Sequence, residues 1–132
     1  MLVDDDDVDV MGIERALKKL KILNPLVRAK DGLAALEILR RPGGIAHPYI
    51  ILLDINMPRM SGIEVLAELR RDESLNKSVV FVLTTSCEDE DKAAAYAQHV
   101  AGYIVKEEAG DSLMRAITML DCYWRVVELP TE

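Results

Sequence analysis

Four aliphatic residues in a row, Ile50-Ile51-Leu52-Leu53, run without polar alternation into a lone carboxylate, Asp54. A strand that is apolar on both faces must be covered on both faces, which is the situation of a central strand in a parallel sheet flanked by helices. Beyond Asp54 the segment Asn56-Met57-Pro58-Arg59-Met60-Ser61-Gly62 breaks the chain, and a helical pattern resumes at Ile63. In open α/β sheets the carboxyl ends of the strands are where ligands bind. An aspartate buried there costs several kcal/mol unless it is paired or holds a cation, so Asp54 reads as a functional residue.

The rest of the chain falls into place around that strand. Met1-Leu2-Val3 read as a short first strand entering the acidic run Asp4-Asp5-Asp6-Asp7. The last two of these acids suit the positive end of a helix expected over Val8 to Leu23, with Ile13, Leu17 and Leu20 at helical spacing and lysines near its far end. Asn24-Pro25 stop that helix. A second strand is expected at Leu26 to Ala29, then a helix from the Asp31-Gly32 turn to about Arg41 with Leu33, Leu36 and Ile38 or Leu39 inward. Tyr49 to Leu53 form the third strand, and Ile63 to Arg71 a helix with Val65, Leu66 and Leu69 inward. Val79 to Leu83 is another fully apolar strand and ends at Thr84-Thr85-Ser86. Glu88 to His99 reads as a helix, Gly102 to Val105 as a fifth strand ending at Lys106, and Gly110 to about Cys122 as a last helix with Leu113, Ile117 and Leu120 at its core. Strict strand-helix alternation and right-handed crossovers predict a flavodoxin-like, doubly wound parallel α/β sheet in the order 2-1-3-4-5.

That order brings Asp4 and Asp5, Asp54, Thr84 and Lys106 to one edge of the sheet. Converging carboxylates repel one another unless a cation joins them, and hard oxygen ligands suit Mg²⁺. Thr84 offers a hydroxyl and Lys106 a compact positive charge for a phosphoryl group. A carboxylate can itself accept phosphoryl, so the residues predict a magnesium-assisted phosphoacceptor site centred on Asp54. A net charge of −7 argues against unaided binding to nucleic acid or an anionic membrane. The two cysteines, Cys87 and Cys122, have no metal-ligand spacing, and no apolar run reaches membrane-spanning length. A cytoplasmic setting with reduced, inert thiols is expected. His47 and His99 lack companions at ligand spacing and read as surface residues.

These residues also carry a resemblance. Leu2-Val3-Asp4-Asp5, Leu52-Leu53-Asp54-Ile55-Asn56-Met57-Pro58 with Ser61-Gly62, Leu83-Thr84-Thr85-Ser86 and Tyr103-Ile104-Val105-Lys106 together resemble the CheY-like receiver domains of two-component response regulators. The separations of 30 positions from Asp54 to Thr84 and 22 from Thr84 to Lys106 are similar to the family's. The resemblance implies phosphotransfer from a phosphohistidine on a sensor histidine kinase to Asp54. It implies Asp5 as a direct Mg²⁺ ligand, Asp4 as a ligand through water, and the Asn56 backbone carbonyl as a further one. It implies Thr84 and Tyr103 as a switch pair and Lys106 on the phosphate. It also implies a signalling domain rather than a turnover enzyme. Two features depart from the family: Glu107 follows Lys106 where a proline is usual, and the first strand is curtailed.

On this reading residues 1–122 form the receiver domain and 123–132 a C-terminal tail with no output domain. Tyr123-Trp124 and Val126-Val127-Glu128-Leu129-Pro130 make the chain similar to the single-domain regulators that partner bacterial phytochrome-type histidine kinases. In that group homodimers form through the fourth helix, fifth strand and fifth helix, where Tyr123 and Trp124 would supply aromatic anchors. Three other readings compete. An aspartate-nucleophile phosphatase needs a second acid two positions after the nucleophile, where this chain has Asn56. A flavodoxin-like FMN carrier would have its phosphate repelled by Asp4 to Asp7. A pseudo-receiver that binds partners without phosphorylation is the fourth reading, kept open by the Glu107 departure.

Overall fold

The computed structural model describes residues 1–85, 87–106 and 111–130, the side chains of 111–113 excepted. Strands β1 (Leu2–Val3), β2 (Arg28–Ala29), β3 (Ile50–Leu53), β4 (Val79–Thr84) and β5 (Gly102–Val105) alternate with helices α1 (Asp7–Lys19), α2 (Gly32–Arg40), α3 (Gly62–Arg71), α4 (Asp89–Ala97) and α5 (Asp111–Val126). The strands form one sheet in the order β2-β1-β3-β4-β5, every pairing parallel, so the expected flavodoxin-like topology is the one observed.

Successive strand residues face opposite sides of a sheet. The continuous apolar runs therefore divide between two cores. Val3, Ile51, Leu53, Val80 and Val82 pack with Leu36 of α2, Val65, Leu66 and Leu69 of α3, and Ala95 of α4. Leu2, Leu52, Phe81 and Leu83 pack with Ile13 and Ala16 of α1 and with Ile117 and Leu120 of α5. Three helices are started by side-chain caps, from Asp6 to the Val8 N–H, from Asp31 to Ala34, and from Ser61 to Glu64.

The structure moves several expected boundaries. Helix α1 stops at Lys19 instead of Leu23, because Lys21 turns into the left-handed region (φ 57°), leaving Leu23 out in solvent. The inward face of α2 is rotated: Leu33 is 54% exposed, while Ala35 and Leu36 are buried. The cause is a close approach at the start of that helix, where a Cβ on Gly32 would lie 2.5 Å from Val65 Cγ2. Helix α5 continues through Val126, so Tyr123 and Trp124 belong to the helix and not to a tail. The Tyr123 ring meets Phe81 edge-on, centroids 5.1 Å apart, which carries the inward stripe one turn past Leu120. Both cysteines are exposed. Leu113 lies on α5, but its side chain, expected at the core, and the expected helix start at Gly110 lie outside what is described.

Arg70 of α3 donates hydrogen bonds to the carbonyls of Asn76 (2.9 Å), Ser78 (2.8 Å), Gln98 (2.7 Å) and His99 (3.1 Å), tying α3 to the chain entering β4 and to the turn after α4. At the sheet edge where β1 begins, a cavity of about 350 Å³ opens between α1, α5 and the chain before β2 and β3. Ile13, Leu17, Leu26, Ile50, Leu120 and Trp124 are among its lining residues. Among the described residues no helix is long and apolar enough to cross a membrane.

Candidate functional site

At the carboxyl edge, strand register decides what meets what. Val3 of β1 lies beside Leu53 of β3, so Asp4 and Asp54 emerge side by side; the Asp54 N–H donates to the Val3 carbonyl at 2.9 Å. On the other side of β3, β4 delivers Thr84, and the Lys106 N–H donates to the Thr84 carbonyl at 2.6 Å as the chain leaves β5. Asp4, Asp54, Thr84 and Lys106 are all buried, whereas Asp5 is exposed. Gly62 holds the loop after β3 close, since a Cβ there would stand 2.3 Å from the Asp54 carbonyl oxygen.

Carboxylate oxygens of Asp4, Asp5 and Asp54 lie within 4.8 Å of one another. The Lys106 ammonium sits among acids: 3.2 Å from Asp4 Oδ2, 3.6 Å from Asp54 Oδ2 and 2.5 Å from Asp9 Oδ2. The Asp6 N–H donates to Asp4 Oδ1 at 2.9 Å, and the Asn56 N–H to Asp54 Oδ1 at 3.3 Å. The Thr84 hydroxyl also hydrogen-bonds the Asp54 carboxylate.

Burial dominates the electrostatics. Desolvation pushes the Asp4 carboxyl up from 3.8 to about 6, against the opposing pull of the Asp6 N–H and of Lys106. Asp54 is raised for the same reason, although Lys106, Thr84 and the Asn56 N–H pull it down. Burial alone would lower Lys106; the hydrogen bond it donates to Asp9 and the charges of Asp54 and Asp4 outweigh it and leave its pKa raised. A site whose carboxylates resist ionisation is short of positive charge, and that donor set fits a hard divalent cation.

The sequence-predicted residues thus fall into two groups. Asp4, Asp5, Asp54, Thr84 and Lys106 come together. Tyr103 lies opposite Val82 in register and so shares a sheet face with Thr84; it is half-buried against the α3 and α4 core. Asn56 is exposed, with its backbone N–H turned to Asp54. Tyr123 and Trp124 are half-buried on α5, away from this edge, Tyr123 against Phe81 and Trp124 along the cavity. Ser86 and Glu107 lie outside the described residues. Sequence reasoning missed Asp9 and Arg28. Arg28 Nε donates to the Asp4 carbonyl at 3.1 Å and its Nη1 pairs with Asp7 at 2.7 Å. The signal for Asp9 was its place three residues after the helix-capping Asp6, where a first-turn side chain can face the strand ends.

A strand edge that clusters three carboxylates, a threonine and a lysine is what response regulator receivers carry, and residues 1–118 match the response regulator receiver domain family; the chain belongs to that family. It is similar to response regulator Rcp1 of Synechocystis sp., 35% identical over 98% of this chain and 91% of that protein. It is also 37% identical, over 94% of this chain and 81% of the relative, to a protein of Methanothrix harundinacea described as probable methanogenesis regulatory protein FilR2. Among solved structures, the phosphorylated cyanobacterial phytochrome response regulator RcpA superposes with a TM-score of 0.88 at 34% identity, covering 98% of this chain and 95% of that one. Rcp1 has been solved in an Mn²⁺-bound form, TM-score 0.86, with 98% of this chain and 96% of that one covered.

Proposed function

We propose that this chain is the phosphoacceptor of a two-component relay in which Asp54 receives a phosphoryl group from a phosphohistidine on a sensor histidine kinase. The observation that carries the reading is the shared enclosure of Asp54 by Asp4 and Asp5, within 4.8 Å, and by Lys106 at 3.6 Å. An Asp54 oxygen forms the new P–O bond as the P–N bond breaks, and the imidazole leaves with the electron pair. Mg²⁺, held by Asp5 and Asp54, by the Asn56 carbonyl and through water by Asp4, would neutralise charge gathering on the phosphoryl oxygens. Lys106 is positioned to pair with those oxygens and Thr84 to donate to one of them.

The added charge then biases a two-state equilibrium. With Thr84 drawn to the phosphoryl group, Tyr103 on the same sheet face turns, and the surface of α4 and β5 changes. Protein, not nucleic acid, is the proposed readout, in line with the net charge of −7. The family is a signalling one, and chemistry at Asp54 is proposed to be limited to self-catalysed uptake and loss of phosphate. A phytochrome-type kinase is the proposed donor, on the strength of the likeness to RcpA. A homodimer through α4, β5 and α5 would use the exposed Tyr96, Val105 and Met119, with Tyr123 and Trp124 further along α5.

The test is intact mass after incubation with acetyl phosphate, with and without Mg²⁺. Wild type should gain about 80 Da, one PO₃H, only with Mg²⁺, and Asp54→Asn should gain nothing. No gain in wild type under any condition would overturn the reading in favour of a phosphorylation-independent adaptor.

A further inference from the structure

Lys106 makes its shortest contact with a residue the relay does not require. Its Nζ is 2.5 Å from Asp9 Oδ2, against 3.2 Å to Asp4 and 3.6 Å to Asp54. Asp9 is not a free surface acid. It stands in the first turn of α1, which is anchored by the Asp6 cap and by Val10 and Ile13 packed into the core, and its side chain is only 23% exposed. The Lys106 side chain is 6% exposed and its backbone is pinned to Thr84, so the ammonium has a short range of positions. Asp9 and Asp4 take two of its three N–H donors, and Asp54 is only a longer ion contact.

We propose that Asp9 is a positioning residue that holds Lys106 back from Asp54 in the unphosphorylated chain and competes with the phosphoryl group for it. This rests on Asp54 being the phosphoacceptor. A phosphoryl group at Asp54 turns one carboxylate charge into about two, a net gain of about one negative charge, and brings strong acceptor oxygens. For the ammonium to reach those oxygens it must loosen the Asp9 contact, which contributes to the resting state and not to the phosphorylated one. Only an interaction that differs between two states shifts their balance. Asp9 therefore weakens capture of a phosphoryl group and shortens its stay, acting through Lys106 without touching the reacting atoms.

The probe is beryllofluoride, a phosphoryl mimic, titrated with Mg²⁺ into the whole chain. Asp9→Asn should bind it roughly ten-fold more tightly than wild type, the scale of one charge-assisted hydrogen bond. Asp9→Glu, which keeps the charge, should return close to wild type. In a Lys106→Met background the Asp9→Asn gain should vanish. Unchanged binding by Asp9→Asn, or the same gain without Lys106, would overturn the proposal, the latter by showing a simple through-space charge effect. A second readout needs no phosphoryl chemistry. The Lys106 Nζ resonance of the resting protein should move in Asp9→Asn and stay in place in Asp7→Asn, whose carboxylate pairs with Arg28. If wild type takes up no beryllofluoride but this resonance moves, the phosphoacceptor reading fails while the Lys106 restraint stands; a resonance unmoved by Asp9→Asn sinks the restraint itself.

Discussion

Removing a carboxylate from the centre of this site should make the metal-free protein more stable. Asp4 is 1% exposed, and its carboxyl is raised from 3.8 to about 6. In the fold, its ionised form is then disfavoured by roughly 3 kcal/mol relative to the unfolded chain. Asn has the shape of the protonated acid and can keep the hydrogen bond from the Asp6 N–H. The sign follows from the direction of the shift. A raised carboxyl contributes stability that is fully present below 3.8, the unfolded value, and is lost as pH rises through about 6. Wild type in EDTA should therefore be weakest, relative to Asp4→Asn, above pH 6 and nearly equal to it at pH 4. With a urea m-value of about 1.5–2 kcal/mol/M, the variant's midpoint at pH 7.5 should lie roughly 1.5–2 M higher. Mg²⁺ at a hundred times its Kd should bring the two nearly level, because it stabilises wild type by about 2.7 kcal/mol. A variant no more stable than wild type at pH 7.5 in EDTA, or a gain undiminished at pH 4, would refute the argument that burial dominates this carboxyl.

Arg70→Ala should cost about 2–4 kcal/mol in chemical denaturation, since four carbonyls lose one charged donor; a loss under 0.5 kcal/mol would mean that water replaces it freely. Gly62→Ala should cost about 2 kcal/mol and slow acetyl-phosphate labelling, because the new methyl must push on the Asp54 and Ile55 backbone; unchanged labelling would show that the loop yields without disturbing Asp54. Tyr123→Leu should lose about 1 kcal/mol from the edge-on pair with Phe81, and a matching loss in a Phe81→Leu background would deny that the two rings are coupled.

What could be read from the residues was what depends on short-range pattern. The apolar run Ile50 to Leu53 ending in Asp54 defined a central strand and a strand-end acid, and crossover handedness then placed Asp4, Thr84 and Lys106 beside it. What escaped was decided by contacts between elements. Leu33 had the right spacing to face inward, but Gly32 lets α2 lie so close to Val65 that Ala35 takes the buried place. The end of α5 depended on Phe81, a strand residue more than forty positions before Tyr123. Asp9 looked like one more helix-starting acid in an acidic run. Its distinction is a distance to Lys106, 97 residues away in sequence.

Helix α4 is gripped unevenly. Of its residues Asp89 to Ala97 only Ala95 is buried, near the far end, while its first turn is three exposed or half-exposed acids. Immediately past that far end, Arg70 rivets the carbonyls of Gln98 and His99 to α3. The end held in the core and tied by Arg70 is the one before β5, and the exposed, acidic end is the one that follows Thr84. On the proposed reading, a shift of Thr84 toward a phosphoryl group would act first on that exposed acidic end, with the end tied by Arg70 as the hinge. Amide exchange should show the grading, fast from Asp89 to Lys92 and slow at Tyr96 to Gln98, and uniform protection along the helix would mean there is no hinge.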